Sequence, residues 1–168
     1  MNLVVAVDRN WAIGKDGQLL IHNKYDLKHF QAITTGKTIV YGRKTLETFP
    51  GGKPLKDRTN LVLTHDEKFA VDGATVIHDL TELEKHDTDD LYIIGGASVY
   101  QQLYKKCQFA YVTHFDYAAE NPDAFFPNLA ELPNWIIVEE TPTVTFDGVS
   151  MRFVTYRNTD TLPLYSVD

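Results

Sequence analysis

Short runs of apolar and β-branched residues alternate along the chain with stretches of helical period. Leu3-Val4-Val5-Ala6-Val7 carries no polar alternation and predicts a strand buried on both faces. Asp8 to Asn23 holds neither period and predicts a long irregular segment, with Gly14 and an Asp16-Gly17 turn inside it. Lys24 to Thr35 predicts a helix. Thr38 to Tyr41 predicts a strand that stops at Gly42, and Arg43 to Thr48 a short helix after it. Gly51-Gly52 and Pro54 mark a loop. Asn60 to Leu63 and Thr75 to Ile77 read as short strands, and Leu80 to Lys85 as a short helix capped by Asp79. Leu91 to Ile94 is a strand running into Gly95-Gly96, with a helix over Ser98 to Tyr104. Phe109 to Phe115 is a further strand, and Trp135 to Thr141 with Ser150 to Tyr156 an antiparallel pair. The pattern predicts an α/β fold as one domain over 1–168: a mostly parallel central sheet, helices on both faces and an antiparallel C-terminal strand pair. Ligands of such sheets bind at the carboxyl ends of the strands, which directs attention to the segments after Val7, Tyr41, Leu63 and Ile94.

Composition narrows the class. Apolar residues make up 43% and charged residues 23%, which excludes a disordered tail, a collagen-like chain and a coiled coil. The net charge of −7 makes a general binder of nucleic acid or anionic membrane a poor reading, so a phosphate-bearing ligand needs a local cationic pocket. One cysteine, Cys107, excludes an intrachain disulfide and a cysteine-rich zinc site and fits a reducing compartment. The first apolar run is only five residues long, too short for a signal core or a span, so a cytoplasmic protein is expected.

Four places offer chemistry. On the helix from Lys24, the residues Leu27, Phe30 and Ile33 share one arc at about 100° per residue, and Asp26 falls inside it. That is either a first-turn Asp favoured by the helix dipole and by solvent, or a partly desolvated carboxylate on the floor of an aromatic pocket. Gly42-Arg43-Lys44-Thr45 sets two cations and a hydroxyl at a helix start, which suits an anion and equally a solvated basic turn. Thr64-His65, at another strand end, can reach the same anion or lie on the surface. Gly95-Gly96-Ala97-Ser98 lets a ligand approach the backbone closely but is not a dinucleotide fingerprint. The six histidines show no metal spacing, there is no nucleophile elbow, and no metal is expected.

In combination and in order, these pieces resemble the dihydrofolate reductase family, in its bacterial form, over essentially the whole chain. The matching pieces are Ala12-Ile13-Gly14, Asp26-Leu27-Lys28-His29-Phe30, Gly42-Arg43-Lys44-Thr45, Arg58-Thr59-Asn60, Ile94-Gly95-Gly96, Thr113-His114 and Phe125-Phe126-Pro127. The resemblance implies NADPH-dependent reduction of 7,8-dihydrofolate to tetrahydrofolate by a monomer. It implies that Asp26 holds and orients the pterin and favours N5 protonation, with Thr113 bonded to the same carboxylate. Leu27 and Phe30 would pack on the substrate rings with Phe49 and Leu55 opposite. Arg58 would pair with the glutamate α-carboxylate, and the carbonyls of Val4 and Ile94 would accept from the pterin amino group. Ala6, Ile13 and Tyr100 would lie by the nicotinamide. Gly95, Gly96, Ala97, Ser98 and Val99 would lie against the pyrophosphate and its ribose. Gly42, Arg43, Lys44, Thr45, Thr64 and His65 would surround the phosphates, including the 2′-phosphate.

The chain departs from the family pattern in two loops. The loop after the first strand, which in the family reads Leu-Pro-Trp, a polar residue and Leu-Pro, is here Leu19-Leu20-Ile21-His22-Asn23-Lys24. Both prolines and the indole beside the nicotinamide are replaced. That predicts an open or mobile loop and weaker cofactor binding, unless Trp11 or Tyr25 has repacked into the space. Asn121-Pro122-Asp123-Ala124 replaces the usual Gly-Asp-Thr while keeping Asp123. A diverged member binding NADPH or a pterin with poor turnover, or one reducing another pterin-like substrate, stays open at this level.

Overall fold

The computed structural model describes residues 1–164. Its strands are β1 (Asn2–Val7), β2 (Ala12–Lys15), β3 (Gln18–Leu19), β4 (Thr38–Gly42), β5 (Thr59–Leu63) and β6 (Thr75–Ile77). They continue with β7 (Leu91–Gly95), β8 (Phe109–Phe115), β9 (Ala124–Phe125), β10 (Trp135–Glu140), β11 (Val144–Phe146) and β12 (Val149–Asn158). The α-helices are α1 (Lys24–Thr34), α2 (Arg43–Leu46) and α3 (Ala97–Leu103). Among the described residues the main sheet runs β10-β12-β8-β1-β7-β4-β5-β6, with β11 paired to β12. The strands from β8 through β1, β7, β4 and β5 to β6 pair in parallel, and β12 joins β8, β10 and β11 antiparallel.

Alternation along the strands divides the core between the two faces of the sheet. Leu3, Val5, Val40, Leu61 and Ile93 pack with Val99, Tyr100 and Leu103 of α3 in one cluster. Ile39, Tyr41 and Val62 pack with Leu46 of α2 in the other, against Phe49, Leu55 and Ile94. Burying both faces lets these strands dispense with polar positions, which is why β1 reads as a continuous apolar run. The predicted α/β sheet with its antiparallel C-terminal pair is the fold observed. Among the described residues, no helix is long and apolar enough to cross a membrane.

Two segments differ in kind from the sequence reading, beyond shifts of one or two residues at the ends of the other elements. The segment from Asp8 to Asn23 is not irregular, because β2 pairs with β3 and with β9 in a second, three-stranded sheet. Leu80–Lys85 is a 3-10 helix rather than an α-helix, closed by a capping box between Asp79 and Glu82.

The turn that leaves β1 is organised by Asp8, which is only 3% exposed. Its Oδ1 accepts from the N–H groups of Asn10 and Ala12 at 2.8 and 2.9 Å, and its Oδ2 from that of Ala119 at 2.9 Å. One carboxylate thus fixes both the entry to β2 and the segment after β8. Asp8→Asn exchanges one acceptor for a donor facing a backbone N–H, and we expect it to lower the unfolding free energy by roughly 1–3 kcal/mol. Urea denaturation reads this directly, and an unshifted midpoint would mean the clasp contributes nothing.

Candidate active site

Helix α1 starts where Asn23 caps it, its Oδ1 accepting from the N–H groups of Tyr25 and Asp26. The Asn23 amide also donates to the Phe146 carbonyl at 3.1 Å, tying the helix start to the β11–β12 hairpin. The same hairpin receives Tyr25 and His29, whose rings stack on Phe153 at 6.0 and 3.8 Å between centroids. Through these contacts α1 rests on β12 near one edge of the main sheet. Leu27 is 52% exposed and Phe30 and Ile33 are half-buried, so the arc read as inward lines an open cleft rather than packed core. Asp26 faces Thr113 of β8, whose hydroxyl donates to Asp26 Oδ1 at 2.7 Å. Burial pushes the Asp26 carboxyl up from its ordinary value, and the Thr113 hydrogen bond pulls it partly back.

Arg58 lies at the outer end of this cleft. Its Nε donates to the Lys56 carbonyl at 2.8 Å and its Nη1 to Thr34 Oγ1 at 3.2 Å. The guanidinium carbon sits 6.0 Å from the centroid of the Phe30 ring. Phe49 packs edge-on against Tyr41 at 4.9 Å. Leu55 is held by Asn60, whose Oδ1 accepts from the Leu55 N–H and whose amide donates to the Leu55 carbonyl. Asn60 also accepts from the Tyr41 hydroxyl at 2.9 Å. The sequence reading gave Asn60 no task; its signal was a polar residue at the head of an otherwise apolar strand. Thr113's neighbour His114 belongs to the core behind β8. It meets the Trp11 ring edge-on at 5.1 Å and the Tyr156 hydroxyl at 2.9 Å, and burial beside Arg152 lowers its pKa to about 4.

At the carboxyl ends of the parallel strands the backbone opens. The β1–β7 ladder reaches Leu3↔Ile93 and goes no further, leaving Val4, Ala6 and Ile94 beyond it. The Val4 carbonyl accepts from the buried Tyr100 hydroxyl at 2.6 Å. Gly95 has φ 132°, a conformation that favours glycine. A Cβ on Gly96 would come within 3.3 Å of Thr45 Oγ1. Thr45, Gly95 and Gly96 are thus brought together across β4 and β7, with Val99 behind Gly42. Ala97 follows at the start of α3, where exposed Ser98 meets the Gln102 amide at 3.2 Å. Arg43 and Lys44 are exposed beside them and face the β2–β3 turn across a cavity of about 320 Å³. Thr64 accepts from the Asp66 N–H, His65 is exposed, and Arg43 pairs with Asp66.

The loop carrying Ile13 is pinned rather than loose along its first half. Asp123 Oδ2 accepts from the Asp16 N–H at 2.9 Å, and the Asp123 N–H donates to the Gly14 carbonyl at 3.1 Å. Between β3 and α1, Leu20 to Asn23 lie outside helix and strand, with Leu20 and Ile21 half-buried. Neither aromatic considered as a replacement for the missing indole has moved in. Trp11 is buried with His114, Phe126 and Tyr156, and Tyr25 stacks on the hairpin.

A carboxylate under an open cleft, a cation at its mouth and a glycine cradle across the strand ends suit a flat heteroaromatic substrate and an anionic cofactor. The comparisons agree. The dihydrofolate reductase family model matches residues 1–158. The dihydrofolate reductase of Staphylococcus aureus is 38% identical over 130 residues, covering 76% of this chain and 77% of that one. That of Bacillus subtilis is 34% identical over 140 residues, covering 82% and 81%. The structure of dihydrofolate reductase from Enterococcus faecalis, complexed with NADP(H) and RAB-propyl, superposes with a TM-score of 0.83 at 31% identity, over 95% of this chain and 96% of that one. By sequence over nearly its whole length and by fold, this chain belongs to the dihydrofolate reductase family.

Proposed function

We propose that this protein reduces 7,8-dihydrofolate to 5,6,7,8-tetrahydrofolate with NADPH, acting as one domain, as a monomer and in the cytoplasm. The observation that carries the reading is the Asp26 carboxylate, half-buried in an open cleft, bonded to Thr113 and raised in pKa by its surroundings. A carboxylate there has two acceptor oxygens to meet the N3–H and 2-amino donors of a pterin edge. Its negative charge favours a proton on the ring N5, drawn from water. Thr113 fixes the orientation of the carboxylate. The carbonyls of Val4 and Ile94 accept from the same edge of the ring. Leu27 and Phe30 cover one side of the substrate, and Phe49 and Leu55 the other, excluding water around the reacting ring. Arg58, steadied by Thr34 and Lys56, presents a planar fork to the glutamate α-carboxylate.

The residues at the strand ends fit a dinucleotide. Gly95, Gly96 and Thr45 form a cradle that side chains at the glycines would narrow, followed by Ala97, Ser98 and Val99 for the pyrophosphate and its ribose. Gly42, Arg43, Lys44, Thr64 and His65 supply cations and donors for the phosphates. Ala6, Ile13 and Tyr100 border the nicotinamide. When bound, NADPH supplies the hydride, and the chain supplies position and charge. Clustering these cations is how a protein of charge −7 holds an anionic cofactor. The direct test mixes protein, NADPH and dihydrofolate and follows loss of NADPH absorbance; no loss above the uncatalysed rate refutes the reading.

Ile21 in place of an indole gives up about 50–80 Å² of contact, which is roughly 1–2 kcal/mol of cofactor affinity. The missing proline at Leu20 adds some tenths of a kcal/mol of ordering cost. Because Trp11 and Tyr25 are committed elsewhere, nothing from them offsets the loss. The double variant Leu20→Pro, Ile21→Trp should therefore bind NADPH about tenfold more tightly and transfer hydride faster. Unchanged or weaker binding would show that the pocket is built around isoleucine.

A further inference from the structure

The Arg43 guanidinium, assigned above to the cofactor phosphates, is already held by two groups of its own chain. Its Nη1 donates to Asp66 Oδ2 at 3.0 Å. Its central carbon lies 4.6 Å from the centroid of the Phe69 ring. Asp66 is itself fixed in the turn that follows β5. Its N–H donates to Thr64 Oγ1 at 3.1 Å, its Oδ1 accepts from the Lys68 N–H at 3.0 Å, and its carbonyl accepts from the Phe69 N–H at 3.1 Å. The carboxylate thus divides its work, with one oxygen closing the turn and the other on Arg43. Both partners stay 44–45% exposed, so the pair is open to an arriving anion.

A phosphate monoester that reaches Arg43 meets a cation whose charge and one of whose five donors already serve a carboxylate. It must share the fork or displace Asp66. A ribose hydroxyl at the same place carries no charge and has no such rival. Phe69 keeps the guanidinium stacked in place without help from Asp66. We infer that Asp66 is a specificity-determining residue, an internal competitor for Arg43 that reduces the preference for the 2′-phosphorylated dinucleotide over the unphosphorylated one. The inference rests on the cofactor reading above. An orienting role for Asp66 has the opposite sign, since removing its charge would then weaken the hold on the phosphate.

Asp66→Asn tests this with little risk to the fold, because the amide keeps an acceptor for the Lys68 N–H. Dissociation constants for NADPH and NADH are measured by fluorescence titration of the full chain, the variant, and both again in an Arg43→Ala background. NADPH should bind the variant about threefold to fivefold more tightly, the scale of one exposed ion pair. NADH should change by less than twofold, and the NADPH gain should vanish in the Arg43→Ala background. Unchanged or weaker NADPH binding, an equal gain for NADH, or a gain that survives Arg43→Ala overturns the proposal. If the unmodified protein binds neither dinucleotide, the cofactor reading falls and takes the proposal with it, an outcome distinct from an unchanged ratio.

Discussion

Asp26→Asn should lower turnover of dihydrofolate at pH 7 by on the order of a hundredfold or more while raising thermal stability. Both effects follow from one placement. Partial burial raises the pKa of the carboxyl, and in the mechanism proposed above its negative charge favours the proton on the substrate. An isosteric amide keeps the shape and an acceptor for the Thr113 hydroxyl but removes that charge. The gap between variant and wild type should narrow as pH falls, for two reasons. More substrate arrives already protonated, and the wild-type carboxyl becomes neutral at a higher pH than an ordinary aspartate would. The stability effect has the matching sign. A carboxyl whose folded pKa is raised contributes stability below its unfolded pKa and loses it as pH rises through the folded value. At pH 7 the ionised group is therefore a cost, and removing it should stabilise the fold by roughly 0.5–2 kcal/mol. Steady-state rates across pH and a melting curve check both signs. Near-normal turnover at pH 7 would remove Asp26 from the mechanism, whatever the melting temperature does.

Arg43→Ala should erode the preference for NADPH over NADH by about tenfold to a hundredfold. A 2′-phosphate held by charge-assisted hydrogen bonds gains roughly 2–4 kcal/mol over a hydroxyl in the same place. In the site proposed above, Lys44, Thr64 and His65 share that gain, so no single truncation should remove all of it. Arg43 should carry the largest part, because its planar fork matches a phosphate and its stacking on Phe69 limits what must be ordered on binding. The loss should fall almost wholly on NADPH. A drop of equal size for both dinucleotides would instead place Arg43 on a phosphate that the two share.

The central strands were legible because they are buried on both faces. Leu3-Val4-Val5-Ala6-Val7 and Leu91-Tyr92-Ile93-Ile94 need no partner to be recognised. Strands β2, β3 and β9 were not: β3 and β9 are two residues each, too short to show a period, and the pairing that joins β2 to β9 is remote, Ala12 to Phe125. The helix arc of Asp26, Leu27 and Phe30 was visible from the period, but not which surface it would meet. Packing on the β11–β12 hairpin through His29 and Phe153 turns that arc toward a cleft instead of into core. The contact between Asp26 and Thr113 spans 87 positions, so only resemblance to a family could suggest it. Asp8 and Asp66 escaped notice for the same reason. Their partners are backbone N–H groups and an arginine brought near by the sheet, and an acidic residue in a loop carries no mark of that in sequence.

The position of β12 between β8 and β10 bears on how the protein is made. Val149, where β12 begins, emerges from the ribosome 34 positions after Phe115 ends β8. At about 5–20 residues per second that is a wait of roughly 2–7 seconds. Throughout it, β8 has its final neighbour on one side only, and α1 lacks Phe153 to rest against. A nascent chain with an unpaired apolar edge can recruit a neighbouring chain in place of its own missing strand. Yield in a cell should therefore respond to the pace of translation between Phe115 and Asn158. Slow codons in that stretch would lengthen the exposure, and fast ones would shorten it, without altering one residue of the finished enzyme.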